Sequence, residues 1–323
     1  MLTRETLAKI AKTILPLFIG VLFIYLSVKN TSAQDRAAIY QSIKDAHYGY
    51  IFLSLILGLL SHLSRAIRWN FMLNPLGYYP RLINNILAIF ITYIANLGVP
   101  RSGEIFRASV LQTYEGIPFE KSFGTIIAER AVDVLMLLIT IGIAFVLEFD
   151  LIYSLLNNRI GNPSIIVLVV VGGIGIGVVI IRQLKKASHP FFRKIVSLIN
   201  GITDGFLTIV RMKKKWAYLF HTFFIWAMYI AMFYIIKFSI PETQELAFEA
   251  LLIGFIVGAL AITATNGGIG IYPFSVSLVL ISYGITKEAS LAFGWIMWTA
   301  QTVMVIFFGS LSFFLLPFVN RKK

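Results

Sequence analysis

Glu129, Arg130 and Asp133 stand inside an apolar run, FGTIIAERAVDVLMLLITIGIAFVL (residues 123–147). The run is long enough to cross a bilayer, which takes about 20 apolar residues. An ionisable group inside such a span is costly unless it is paired or faces water. Glu129 and Asp133 lie four apart and share a helix face, where like charges repel unless a cation lies between them. Arg130 reaches Asp133 at a spacing of three. These residues either line a wet polar path or form an internal ion-pair knot, and both readings place them between helices. Intramembrane carboxylates also serve as proton relays, for which Glu104, Glu129 and Asp133 are the candidates.

Two other segments carry polar chemistry. The stretch NLGVPRSGE (96–104) interrupts an apolar region. Asn96, Gly98, Pro100 and Gly103 free backbone groups, which is tolerable at membrane depth only where protein or water satisfies them. A helix N-terminus exposed by such a break attracts anions. Arg101 and Arg107 flank Glu104 there, and a guanidinium suits phosphate through its planar fork of donors. The competing reading has both arginines snorkelling to the cytoplasmic interface. The second break, TNGGIGIYP (265–273), has no charge. Asn266, Gly268 and Tyr272 offer amides and a phenol, and the last span faces them with Trp295, Trp298, Thr299, Gln301 and Thr302. This half reads as a neutral wall for sugar or glycerol, or as plain helix packing. Arg65, Arg68 and Trp69, just after an apolar run, read as an interfacial cluster that binds lipid head groups or simply anchors the chain.

The elements that position these residues are membrane helices. Hydrophobic residues make up 58% of the chain and charged ones 13%, with mean hydropathy +0.82. Soluble domains carry about 25% charged residues. Apolar spans fall at 14–28, 50–63, 82–97, 123–147, 164–181, 216–236, 246–263 and 289–318, with half-length pieces at 105–114 and 271–285 after the two breaks. Residues 182–215 hold nine Lys/Arg and one acid, Asp204, and so read as cytoplasmic. Both termini and Arg81 agree. Residues 29–47, 148–163, 237–245 and 286–288 fit outside. Residues 82–114 must then enter from the cytoplasm and return to it, and 246–285 must do the same from outside. The expected fold is all-α and polytopic, with about eight membrane elements plus two broken re-entrant hairpins. Two inverted-topology repeats make up a single integral membrane domain over 1–323. The first repeat is 12–147. Residues 148–215 give an outer loop, the fifth span and the basic loop, and 216–318 complete the second repeat.

Several function classes fall away. There is no cysteine, and the four histidines (His47, His62, His189, His221) show no ligand spacing, so no metal or other cofactor is expected. Gly173-x-Gly175-x-Gly177 lies inside a span with no strand before it and is no dinucleotide motif. No phosphate-binding loop, HExxH or GxSxG occurs, which leaves no sign of ATP hydrolysis or hydrolytic chemistry. The net charge of +13 fits anionic lipid and cytoplasmic loops better than nucleic acid.

In combination, SRAIRWNFML, NLGVPRSGEIFRASVL, AERAVDVLMLL and NGGIGIYP resemble the lysylphosphatidylglycerol synthase transmembrane region, also called flippase-like or UPF0104 proteins. The resemblance covers essentially the whole chain. It implies movement of a lipid between leaflets, as that membrane region does with aminoacylated phosphatidylglycerol, while stand-alone members are linked to hopanoid or glycolipid handling. It carries over onto Arg65, Arg68, Trp69, Gly103, Glu104, Arg107, Glu129, Arg130 and Asp133. The aminoacylating synthase domain is absent, so no aminoacyl transfer is expected. Tyr272-Pro273-Phe274 stands where relatives often have an acidic residue, which puts in doubt a second membrane carboxylate and the identity of the lipid. The expectation is a non-enzymatic translocator in a bacterial inner membrane, moving a phospholipid or lipid-linked sugar. The alternative is a lipid-binding subunit that docks a glycosyltransferase or lipid-modifying enzyme on 182–215, and a membrane-embedded transferase using Glu104 or Glu129 ranks behind both.

Overall fold

A computed structural model describes residues 33–99, 101–149, 212–265 and 267–321. The expected spans 14–28 and 164–181, nearly all of the basic loop, Pro100 and Asn266 lie outside the described residues. Those described form helices and short turns, with no strand among them. In chain order the helices are α1 (Ala33–Lys44), α2 (Tyr48–Leu73), α3 (Leu82–Gly98), α4 (Gly103–Glu115), α5 (Phe119–Leu147), α6 (Lys215–Ile236), α7 (Phe248–Ala264), α8 (Ile271–Ser282) and α9 (Lys287–Val319). α2, α5, α6 and α9 are long and apolar enough to cross a membrane, whereas α3, α7 and α8 are shorter apolar helices.

The chain divides into two units, residues 1–126 with 216–323, and residues 127–215. In the first unit, α3 and α4 form a hairpin. α3 stops because Val99 precedes Pro100 and is held in extended backbone (φ −132°, ψ 119°). Arg101 then turns the chain in the left-handed region, φ 62°. The two arms touch at Gly103, where a Cβ would lie 2.1 Å from the Thr92 carbonyl oxygen. At the open end Arg81 pairs with Glu115 at 3.4 Å. α7 and α8 form the second hairpin. Its turn needs positive φ at Gly267, Gly268 and Gly270 (62°, 77° and 70°), a backbone that glycine adopts without penalty. Gly258 lets the Tyr272 ring lie against α7, since a Cβ there would come within 2.7 Å of it.

The hairpin tips meet. A Cβ on Gly267 would fall 2.3 Å from Leu97 Cδ2, and Trp298 Nε1 donates to the Gly267 carbonyl at 2.8 Å. α9, 33 residues long, backs both hairpins: its Gly294 packs on Pro273 and its Gly309 on Ile94 and the Phe90 carbonyl. Polar ties close the two ends of this unit. At one end His47 N–H donates to the Ser239 carbonyl and Lys237 Nζ to that of Leu246, both at 2.9 Å. Ile39 and Ile43 of α1 pack there on a core holding Ile240, Leu246 and Ala289. At the other end Arg81 and Asn84 both bond Asn320, just past α9. In the second unit, the described part of α5 runs on from Ile127.

Candidate anion site

α2 does not end at residue 63, where the apolar run stops, but continues unbroken to Leu73. That corrects the expectation for Arg65, Arg68 and Trp69. They sit within the helix, each no more than 4% exposed, rather than on an interfacial rim. Helical spacing puts His62, Arg65 and Trp69 at i, i+3 and i+7, and Ser64 and Arg68 one turn apart.

α6 supplies the facing polar groups. Arg65 Nη2 donates to the Tyr229 hydroxyl at 3.4 Å, and Arg68 Nη1 to Thr222 Oγ1 at 3.1 Å. The Arg68 guanidinium also lies over the Tyr218 ring, 5.5 Å from its centre. Ser64 Oγ and His221 Nδ1 share a hydrogen bond of 2.8 Å. α4 adds Arg107, 1% exposed, whose guanidinium carbon lies 3.8 Å from the centre of the Trp69 ring. The first turns of α5 add Thr125, whose Oγ1 accepts from Trp69 Nε1 at 2.9 Å. Trp69 is therefore held by its edge and covered on its face, and a desolvated cation over an indole is worth about 2 kcal/mol. Arg107, expected to snorkel or to hold phosphate, is thus deep in protein together with Arg65 and Arg68. All three guanidinium groups are buried, and guanidinium is the side-chain group best shaped for phosphate or another oxyanion.

The first break is less open than its sequence suggests. Asn96 Oδ1 accepts from Gly103 N–H at 2.8 Å, which caps the start of α4. Ser102 Oγ donates to the carbonyls of Ala95 (3.1 Å) and Val99 (2.8 Å) at the end of α3. Arg101 is exposed at the tip and Glu104 is half-buried in the first turn of α4. Of the two arginines that flank Glu104 in sequence, Arg101 is thus at the surface and Arg107 in the interior. At the second break Gly268 is buried, and so is Tyr272, whose side chain reaches Gln301. In the second unit Glu129 is fully buried, and Arg130 Nη1 lies 3.7 Å from Asp133 Oδ2, the i,i+3 pair expected from the sequence.

The family model for the lysylphosphatidylglycerol synthase TM region matches residues 13–309. The protein belongs to this family. A UPF0104 membrane protein of Methanocaldococcus jannaschii is 24% identical over 318 residues, 94% of this chain and 86% of that protein. Another, of Pyrococcus horikoshii, is 22% identical over 268 residues, 75% and 80% of the two chains. The glycosyltransferase AglD of Haloferax volcanii is 26% identical over 137 residues, 41% of this chain and 22% of that protein. No solved structure matches. These relatives are archaeal and do not bear on a bacterial inner membrane. Family and apolar helices together make the chain a multi-pass membrane protein.

Of the positions carried over from the family, Arg65, Arg68, Trp69 and Arg107 come together, and Gly103 serves the hairpin. Sequence reasoning missed His62, Tyr93, Thr125, His221, Thr222 and Tyr229 as companions of the arginines. The spacing of His62, Arg65 and Trp69 on one helix face was the available signal. Their partners on α3, α5 and α6 had none, because those contacts are distant in sequence.

Proposed function

We propose that this protein moves an anionic phospholipid or lipid-linked head group between membrane leaflets, without acting as an enzyme. The observation that carries this reading is the burial of Arg65, Arg68 and Arg107 about Trp69. Buried guanidinium groups in a membrane protein are costly and mark substrate or ion paths. A phosphodiester would meet forked donors there while its acyl tails stay in lipid. Arg101 and Glu104, at the first hairpin's tip, are assigned to the head-group path, and so is the Glu129, Arg130 and Asp133 group. Asn266, Gly268 and Tyr272 are the neutral contribution of the second break. Asn96, as a helix cap, is assigned to holding the tip.

The architecture supports an alternating mechanism. The two hairpins touch tip to tip and the last helix backs both, as expected of inverted repeats around a central site. The end holding Arg81 and Asn320 is assigned to the cytoplasm by its basic residues, and the end holding α1 and Lys237 to the outside. A second reading, a lipid-binding subunit that docks an enzyme, draws support from the 137-residue similarity to a protein named as a glycosyltransferase.

The test is leaflet exchange of head-group-labelled phosphatidylglycerol in liposomes holding the purified protein. The wild type should accelerate exchange, and Arg107→Ala should slow it at least about tenfold, as expected on truncating a buried charged contact. No acceleration by well-folded wild type, with phosphatidylglycerol or a lipid-linked sugar, would leave the docking reading.

A further inference from the structure

α6 meets the arginines of α2 with side chains that follow one another by a turn. Thr222 receives Arg68 at 3.1 Å and Tyr229 receives Arg65 at 3.4 Å, with the Tyr93 hydroxyl of α3 another 3.4 Å from that of Tyr229. Trp226 stands between these two acceptors, four residues after Thr222 and three before Tyr229, so the three share one helix face. Along the helix axis that is about 6 Å from one and about 4.5 Å from the other. The Trp226 side chain is 8% exposed and meets the Phe255 ring of α7 edge to face, with centres 6.2 Å apart. Its Nε1 is buried and has no hydrogen-bond partner among the described residues. Trp69 and Trp298 in the same unit differ: their indole N–H groups donate to Thr125 Oγ1 at 2.9 Å and to the Gly267 carbonyl at 2.8 Å.

A buried indole N–H usually finds a partner, and leaving it without one costs the desolvation of the group. Lipid tails and apolar neighbours offer no substitute. For packing against Phe255 alone, a phenylalanine would fill this place without that cost. The indole N–H only donates, so the group it suits is an oxygen acceptor. The chain has no Asp, Glu, Lys or Arg between Lys215 and Lys237, so α6 itself brings no charge to this level. Guanidinium groups are the better match for a phosphate. That leaves the indole an uncharged oxygen of the same molecule, a few bonds from the phosphorus.

We propose that Trp226 is a lipid-contact residue whose indole N–H donates to an uncharged oxygen beside the lipid phosphate, either an acyl ester carbonyl or a head-group hydroxyl. The inference rests on the translocator reading and adds to it a residue that tells one anionic lipid from another. A site built to donate to an oxygen rejects the analogue that lacks it, because the buried donor is then left without an acceptor. The arginines select for charge, and Trp226 selects for the atom next to it.

Calorimetry on the purified full-length protein in detergent compares three short-chain lipids. They are dihexanoyl phosphatidylglycerol, its ether-linked analogue, which has no ester carbonyl, and dihexanoyl phosphatidylmethanol, which keeps the charge but has no head-group hydroxyl. Trp226→Phe should bind phosphatidylglycerol about three- to tenfold more weakly than the wild type, the effect of one hydrogen bond. Trp226→Met is the second variant if Phe does not fold, and thermal unfolding without lipid checks both. The analogue that lacks the accepting oxygen should bind the wild type more weakly and be indifferent to the substitution. If that is the ether analogue, the acceptor is the ester carbonyl; if it is phosphatidylmethanol, the acceptor is the hydroxyl. Equal binding of phosphatidylglycerol by wild type and variant, or the same loss by the variant for all three lipids, overturns the contact and leaves translocation standing. No binding of any of the three by folded wild type brings down both.

Discussion

Trp69 is fixed twice, by a hydrogen bond through its N–H and by a guanidinium on its face. These two restraints separate by substitution. Trp69→Phe keeps an aromatic face under Arg107 but leaves Thr125 without its donor. It should lower stability by about 1 kcal/mol and keep most lipid exchange. Trp69→Ala removes the face and opens a cavity worth about 3–5 kcal/mol, and exchange should fall with it. Thermal unfolding in detergent beside the liposome assay checks both. If Trp69→Phe abolishes exchange at full stability, the ring is more than a support for Arg107. At this scale the sequence was only partly legible. A basic and aromatic group following an apolar run looks the same whether it ends at the head groups or continues into a packed bundle. What decides is the cover that α4, α5 and α6 bring, and that contact is not local. The Arg130 and Asp133 pair was legible, because three residues on one helix fix it.

At the scale of elements the breaks were legible, since Pro and runs of Gly act locally on the backbone. The helix before Pro100 had to end near Gly98, and the second hairpin had to turn through its glycines. What the residues at the break do was not legible. Asn96 and Ser102 occupy backbone groups that a sequence reading leaves open to a ligand, because capping depends on the arms lying side by side. That closeness is testable at Gly103. Gly103→Ala would push a methyl onto the Thr92 carbonyl oxygen, which is backbone and cannot be trimmed by mutation. It should cost about 1–3 kcal/mol through overpacking. Gly98→Ala is the control, because a Cβ there meets nothing within 4 Å. Equal unfolding temperatures for the two variants would refute the close approach.

For the whole molecule, positive charge sorted the loops by side, and the sorting agrees with which loops lie together. Arg81, Glu115 and Asn320 are tied at one end of the first unit, and His47, Lys237, Ser239 and Leu246 at the other. Which end faces the cytoplasm was read from lysine and arginine counts alone. The chain has no cysteine, so single cysteines can report it directly. Tyr79→Cys and Arg321→Cys should react with a membrane-impermeant maleimide only from the cytoplasmic face, and Tyr40→Cys and Glu242→Cys only from the other. Labelling of all four from one face would end the hairpin topology.

Between the two hairpin tips lies little material. Leu97 rests its side chain directly on the bare backbone of Gly267. In the proposed re-entrant topology, one aliphatic branch and one peptide plane would be the electrical insulation at that point, a few ångströms thick where the surrounding bilayer offers about 30. A transmembrane voltage that drops across so thin a barrier concentrates its field there, so charged cargo at the tips would feel most of the membrane potential over a very short travel.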